Sequence, residues 1–116
     1  MSNEFFSKRL KEARLHAGFS QAALGIAAGI DEFSASPRIN QYEKGKHLPD
    51  LLTVSRIAAV LGVPPPYFFT EDDALAELIR CWGNTDETAR QELLGQARQR
   101  SGSAAPEKKS GRQRRP

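Results

Sequence analysis

The chain has 116 residues, and its 17 lysines and arginines exceed its 14 aspartates and glutamates to give a formal net charge of +3 at pH 7. This length suits one domain and excludes a second large one. The single cysteine excludes an intramolecular disulfide, and no apolar stretch approaches the roughly 20 residues of a membrane-spanning helix. The chain also begins without the cationic and apolar segments of a signal peptide, so we expect a cytoplasmic protein.

Most of the positive charge lies at the C-terminal end. Residues 101–116 contain five basic residues and one acidic residue, which leaves 12 basic and 13 acidic residues in the first hundred. This segment has no apolar periodicity and is predicted to be a disordered basic tail. It could contact phosphates or only improve solubility. The overall charge therefore does not by itself indicate a nucleic-acid partner.

Two helices are predicted before residue 29. A first helix should bury a stripe of apolar residues at helical spacing and end at Gly18. A second helix should begin at Ser20, a favoured N-cap residue, and contain Gly25, which we attribute to a close crossing with another helix. The stripe of the first helix consists of Phe6, Leu10, Ala13 and Ala17.

A third helix is predicted over residues 36–45, with Ser36 as its N-cap and Pro37 at its first position. Ile39 and Tyr42, three residues apart, should anchor this helix in the core. The preceding residues 30–35 make an unusually long connection after Gly29. We expect them to form a small helical step that starts at Asp31 and is pinned by a buried Phe33.

Further helices are predicted after Pro49. Asp50 should open a core helix that Gly62 closes, and residues 67–69 form an aromatic turn after three prolines. A helix around residues 74–82 and another over roughly 86–100, capped by Asn84 or Thr85, should follow. The first of these carries one apolar stripe, formed by Leu75, Leu78, Ile79 and Trp82.

Two short helices joined by a glycine-bearing turn form a helix-turn-helix, whose second helix can enter the DNA major groove. The outward side chains of residues 36–45 are therefore candidates for base reading. Arg38 can bond guanine and Gln41 can bond adenine, each through two hydrogen bonds. Ser36 and Asn40 are weaker candidates for base or phosphate contacts. The alternative is an ordinary solvated helix surface.

Short motifs recur along residues 5–70, namely Phe6-x3-Leu10-Lys11-x2-Arg14, Ser20-Gln21-x2-Leu24, Ile39-x2-Tyr42-Glu43-x-Gly45, Pro49 and Leu61-Gly62-Val63. As a set they resemble the lambda-repressor-like (Cro/cI, or XRE) family of bacterial and phage transcription regulators. The resemblance implies an all-α, five-helix DNA-binding domain over residues 1–70 that binds double-stranded DNA. We expect a repressor that is associated with the nucleoid when bound.

The resemblance also implies roles for individual residues. Gln21, Lys44 and Lys46 would contact DNA phosphates. Arg14 and Glu43 would form an ion pair that orients the recognition helix, worth only about 0–1 kcal/mol if it is exposed.

Residues 71–100 are predicted to be a helical extension, which we interpret as a dimerisation hairpin of a homodimer. The alternative is a protein-interaction module, antitoxin-like or co-regulatory, in which these helices bind another protein and the helix-turn-helix is only a scaffold. No catalytic motif, metal-ligand spacing or cofactor-binding loop is found, so we expect no enzyme, no metal, no cofactor and no small-molecule ligand. Cys81 is expected to be a small buried side chain.

Overall fold

The computed structural model describes residues 4–102, and every regular element in that range is helical. The all-α prediction is therefore confirmed. The predicted tail begins at residue 101, but residues 103–116 lie outside the described part of the chain. The elements are α1 (Glu4–Ala17), α2 (Gln21–Ala27), α3 (Glu32–Glu43), α4 (Leu51–Leu61), a 3₁₀ helix (Pro65–Phe69), α5 (Asp73–Gly83) and α6 (Glu87–Ser101).

Side-chain caps fix where most of these helices begin. The Ser20 hydroxyl accepts the Ala23 backbone N–H at 3.0 Å, and the Asp50 carboxylate accepts that of Thr53 at 2.8 Å. Both helix starts agree with the sequence prediction. The start predicted for the last helix is wrong, because the cap is Asp86, whose carboxylate accepts the Ala89 N–H at 2.8 Å.

The third helix, α3, differs most from the prediction. Asp31, not Ser36, is its N-cap, and the Asp31 carboxylate accepts the Phe33 N–H at 3.0 Å. Residues 32–35 thus form one added turn of α3, which ends at Glu43 rather than Gly45. The connection from α2 to α3 is only the four residues 28–31. Phe33 was expected to be buried, but it is 85% exposed.

Pro37 therefore lies inside α3. It has no N–H to donate to the Phe33 carbonyl, and proline in a helix interior costs about 3 kcal/mol. The aspartate cap and the complete burial of Ala35 offset this cost, because both require the first turn to be helical. The helix therefore starts one turn before the proline.

The core is formed by side chains from α1 to α5 and the 3₁₀ helix. The stripe on α1 is shorter than predicted, because Ala17 is exposed. Ile39 and Tyr42 of α3 are both buried, with exposed fractions of 0% and 5%. The largest fully buried side chains are Leu10, Leu24, Ile39, Val54, Ile57 and Phe68.

Arg9, only 3% exposed, ties the N-terminus of α5 to α1. Its guanidinium donates to the backbone carbonyls of Thr70 and Glu71, both at 3.0 Å, and pairs with the Asp73 carboxylate at 2.8 Å. Gly83 packs on Pro64, since a Cβ at Gly83 would lie 2.8 Å from the proline Cδ. α5 is therefore an integral part of the bundle.

The described residues divide into two compact units, 4–84 and 85–102. The domain boundary expected at residue 70 stays a prediction. In the described part of the second unit, α6 has no buried residue. Cys81 was expected to be buried, but it is exposed. The residue of α5 that is buried is Ala76. Within residues 4–102, no helix is long and apolar enough to cross a membrane.

Candidate nucleic-acid interface

α2 and α3 cross at very close range. A Cβ added to Gly25 would lie 2.6 Å from the Ala35 Cβ and 2.9 Å from its Cα. Gly29, with φ of +92°, then reverses the chain, and the Ile30 N–H donates to the Gly25 carbonyl at 2.9 Å. Only a glycine at position 25 permits this approach, which fixes the position of the added turn of α3 against α2.

The end of α3 is held by a buried ion pair. The Arg14 guanidinium donates to both carboxylate oxygens of Glu43, one of them at 3.1 Å, and also to the Phe19 carbonyl at 2.9 Å. The side chains are 10% and 4% exposed, so the range of about 0–1 kcal/mol for an exposed pair does not apply to this buried one. The Ser7 hydroxyl adds a bond to the Tyr42 carbonyl at 2.8 Å. α1 therefore sets the orientation of α3.

Gln21 joins the start of α2 to one side of α3. Its amide nitrogen donates to the Asn40 side-chain oxygen at 3.2 Å and to the Glu43 carboxylate at 3.1 Å. Its amide oxygen accepts the Ser36 hydroxyl at 3.5 Å. Ser36 and Asn40 are consequently half-buried and oriented by this network. A phosphate would have to compete with these bonds for the Gln21 amide.

The side of α3 that faces away from the core is exposed. Ala35, Ile39 and Tyr42 face the core, so the helical period places residues 33, 37 and 41 away from it. Gln41 and Arg38 are both exposed, as are Lys44 and Lys46 just beyond the helix. The side chains of Arg38 and Gln41 therefore lie on a surface of α3 that no described element covers.

The start of α4 adds charged groups beside this surface. The Thr53 N–H, hydrogen-bonded to the Asp50 carboxylate, lowers the pKa of that group, and the positive charges of Arg56 and Arg38 lower it further. On the other end of α3, Asp31 and Glu32 contribute negative charge. The surface is mixed in charge, with its cations towards the C-terminal end of α3.

The family model for helix-turn-helix domains matches residues 10–68, which is more than half of the chain. The chain belongs to the Cro/cI-like (XRE) helix-turn-helix family. In this Cro/cI-type protein, the matched residues include α2, α3 and the four-residue turn between them.

This Cro/cI-type chain is also similar to a solved structure, the crystal structure of the transcriptional regulator BswR. The two are 44% identical and superpose with a TM-score of 0.76 over 80% of this chain and 92% of the other. A comparison with curated proteins found no match. Family and structural neighbour together make this protein a DNA-binding transcription regulator.

The sequence prediction missed one prominent residue of the Cro/cI-type surface. Phe33 was placed in the core, whereas it stands in the added turn on the same side of α3 as Pro37 and Gln41. The signal that could have revealed it is the helical period of Ile39 and Tyr42, which places residue 33 on the side away from the core once the helix is extended back to Asp31. Among the described residues, no group of three or more histidine, cysteine, aspartate or glutamate side chains is arranged to hold a metal ion.

Proposed function

We propose that this protein is a sequence-specific repressor that inserts α3 into the DNA major groove. The observation that carries the proposal is the exposure of Arg38 and Gln41 on a helix whose opposite side is anchored by Ile39 and Tyr42. A helix held in one orientation can present its side chains to base edges without first ordering itself, which lowers the cost of binding.

Each proposed base reader has a chemical target. The Arg38 guanidinium can donate two hydrogen bonds to O6 and N7 of guanine, and the Gln41 amide can bond N6 and N7 of adenine. Ser36 and Asn40 lie nearer to α2, where Gln21 holds them. They are therefore better placed for a phosphate or an edge base than for the centre of the site.

Phosphate contacts are proposed for the chain just after α3. Lys44 and Lys46 are exposed, and the flexible ammonium groups of lysines suit the phosphate backbone as point charges. The phosphate contact of Gln21 stays a prediction, and it requires the amide to give up one of its bonds to α3. These contacts would position the protein without selecting a sequence.

We propose that the repressor acts as a homodimer. α5 and the proline segment before it form an apolar groove, and the groove leaves Leu75 47% and Leu78 52% exposed. If the groove packed against the same groove of a second copy of the chain, the buried apolar area would favour a two-fold dimer. The groove is lined by Pro64, Pro66, Leu75, Leu78, Ile79 and Trp82.

Selection from a random pool of duplexes tests this function. Duplexes bound by the full chain are separated, amplified and sequenced over several rounds. We expect enrichment of an inverted repeat whose half-sites are about one helical turn, or 10 base pairs, apart. Recovery of unenriched sequence would contradict specific reading, and enrichment of an isolated half-site would contradict the dimer. Transcription from a template carrying the selected site should fall when the protein is added.

The apolar groove on α5 also fits the second candidate, a protein-interaction module built on a helix-turn-helix scaffold. The two candidates differ in their behaviour towards unselected DNA. A DNA-binding domain retards random genomic fragments in a gel at low salt, because its phosphate contacts are independent of sequence. An interaction module leaves the mobility of these fragments unchanged.

A further inference from the structure

The added turn of α3 exposes a large aromatic side chain. Phe33 is 85% exposed, more than any other exposed large hydrophobic residue in the described chain. It lies four residues before Pro37 and eight before Gln41, so the three share one side of the helix. Burying a phenyl ring typically stabilises a protein by about 1.5–3 kcal/mol, so the folded monomer forgoes this stabilisation.

The position of Phe33 relative to the proposed readers suggests what it meets. In helix-turn-helix proteins, the N-terminal residues of the recognition helix contact base edges. Phe33 is the second residue of α3, and the eight residues to Gln41 correspond to about 12 Å along the helix axis. Base pairs are stacked about 3.4 Å apart. Phe33 and Gln41 would therefore meet different base pairs.

The charges beside Phe33 limit which groups of the DNA it could contact. The Glu32 carboxylate next to it is exposed, and the Asp31 carboxylate caps the same turn. Two negative charges oppose a position along the phosphate backbone. A phenyl ring makes no strong hydrogen bond. Within the DNA major groove it would therefore pack most favourably against an apolar group. The 5-methyl group of thymine is the apolar group that bases present in the major groove.

We propose that Phe33 is a specificity-determining residue that packs on the 5-methyl group of a thymine. This inference rests on the proposed docking of α3 in the major groove. It assigns to Phe33 a base pair in addition to those proposed for Arg38 and Gln41. Because Phe33 makes almost no contact within the protein, its substitution should leave the fold intact.

The test combines a substitution in the protein with removal of one methyl group from the DNA. Synthetic unmethylated duplexes of the selected operator are prepared in which each thymine in turn is replaced by uracil, so that thymine is the only source of a 5-methyl group. Dissociation constants are measured for the full-length protein and for Phe33→Ala, with circular dichroism to verify the fold. Phe33→Leu keeps an apolar contact, and Leu15→Ala removes a 58%-exposed leucine from α1 as a control.

We expect uracil at one thymine of each half-site to weaken binding of the unsubstituted protein by about fourfold, the equivalent of one buried methyl group. Phe33→Ala should bind the thymine operator more weakly and no longer distinguish uracil from thymine there. Phe33→Leu should keep part of the discrimination, and Leu15→Ala all of it. If specific binding persists but Phe33→Ala retains the full uracil response, the thymine contact is refuted while the proposed function stands. If no duplex is bound specifically, both fail.

Discussion

The Glu43 carboxylate, at the last residue of α3, is bonded to the Arg14 guanidinium of α1 through both of its oxygens. The same carboxylate accepts a hydrogen bond from the Gln21 amide at the start of α2. One acidic group therefore fixes α3 relative to both α1 and α2. This arrangement explains how a short helix with an internal proline keeps one orientation.

The buried ion pair should contribute strongly to stability. Glu43→Ala would leave the Arg14 guanidinium, 10% exposed, without its carboxylate, and removing one partner of a buried pair costs about 3–5 kcal/mol. We expect a loss of that size in the free energy of unfolding, measured with urea. The control is Glu77→Ala, which removes a 71%-exposed partner 3.9 Å from Arg80 and should cost about 0–1 kcal/mol. Equal losses in the two variants would contradict the role assigned to Glu43.

The close crossing of α2 and α3 predicts opposite effects for two glycine substitutions. Gly25→Ala would place a Cβ 2.6 Å from the Ala35 Cβ, so the helices must separate, at a cost of about 1–3 kcal/mol. Gly95→Ala in α6 meets no atom within 4 Å and should increase helix stability by up to about 1 kcal/mol. Thermal unfolding followed by circular dichroism measures both. A Gly25→Ala protein as stable as the unsubstituted one would argue against the crossing.

Features that depend on local chemistry could be predicted from the sequence. The caps Ser20 and Asp50 and the helix-ending Gly62, with φ of +72°, follow from hydrogen bonds or backbone conformations within a few residues. The exposure of Arg38 and Gln41 follows similarly from the spacing of Ile39 and Tyr42.

Features that depend on distant contacts could not be predicted in this way. Pro37 favours a helix start by itself, but the packing of Ala35 on Gly25 requires helix before it. The Gln21 network likewise exists only because α2 and α3 cross. The apolar spacing on α5 indicated a helix correctly, yet it could not show that Ala76 would be buried while Leu78 stays exposed.

The attachment of α5 should depend on pH. Hydrogen bonds from Arg9 and then Lys8, together with their charges, lower the pKa of Asp73 below its ordinary 3.8. A carboxyl with a lowered pKa in the folded state stabilises the protein above about pH 3.8, and this stabilisation disappears as the pH falls through the lower value. Asp73→Asn should therefore reduce stability at neutral pH, and the difference should shrink as the pH falls below 3.8 and through the lowered pKa of Asp73.

Urea unfolding midpoints at several pH values would measure this difference. Glu92→Gln in α6 serves as the control, since Glu92 is exposed. A stability difference between Asp73→Asn and the unsubstituted protein that is constant from neutral to acidic pH would contradict the assignment.

The two lysines after α3 should affect binding of all DNA sequences alike. Lys44→Ala and Lys46→Ala should each weaken binding to the selected operator and to unrelated duplexes by a similar factor. The slope of log affinity against log salt concentration should become shallower by about 0.9 for each phosphate that the variant no longer neutralises. Fluorescence anisotropy at several salt concentrations measures the slope, with Lys11→Ala on α1 as the control. An unchanged slope in both variants would remove these two lysines from the interface.

The most direct measurement of major-groove reading by α3 is a complete specificity profile of Arg38→Ala and Gln41→Ala. Affinities of each variant and of the unsubstituted protein are measured for the selected operator and for every single-base-pair change of one half-site. We expect each variant to lose about 1–3 kcal/mol of discrimination at one base pair, a different pair for each residue, and to keep its discrimination elsewhere. Profiles that match the unsubstituted protein at every position would contradict the insertion of α3 into the groove.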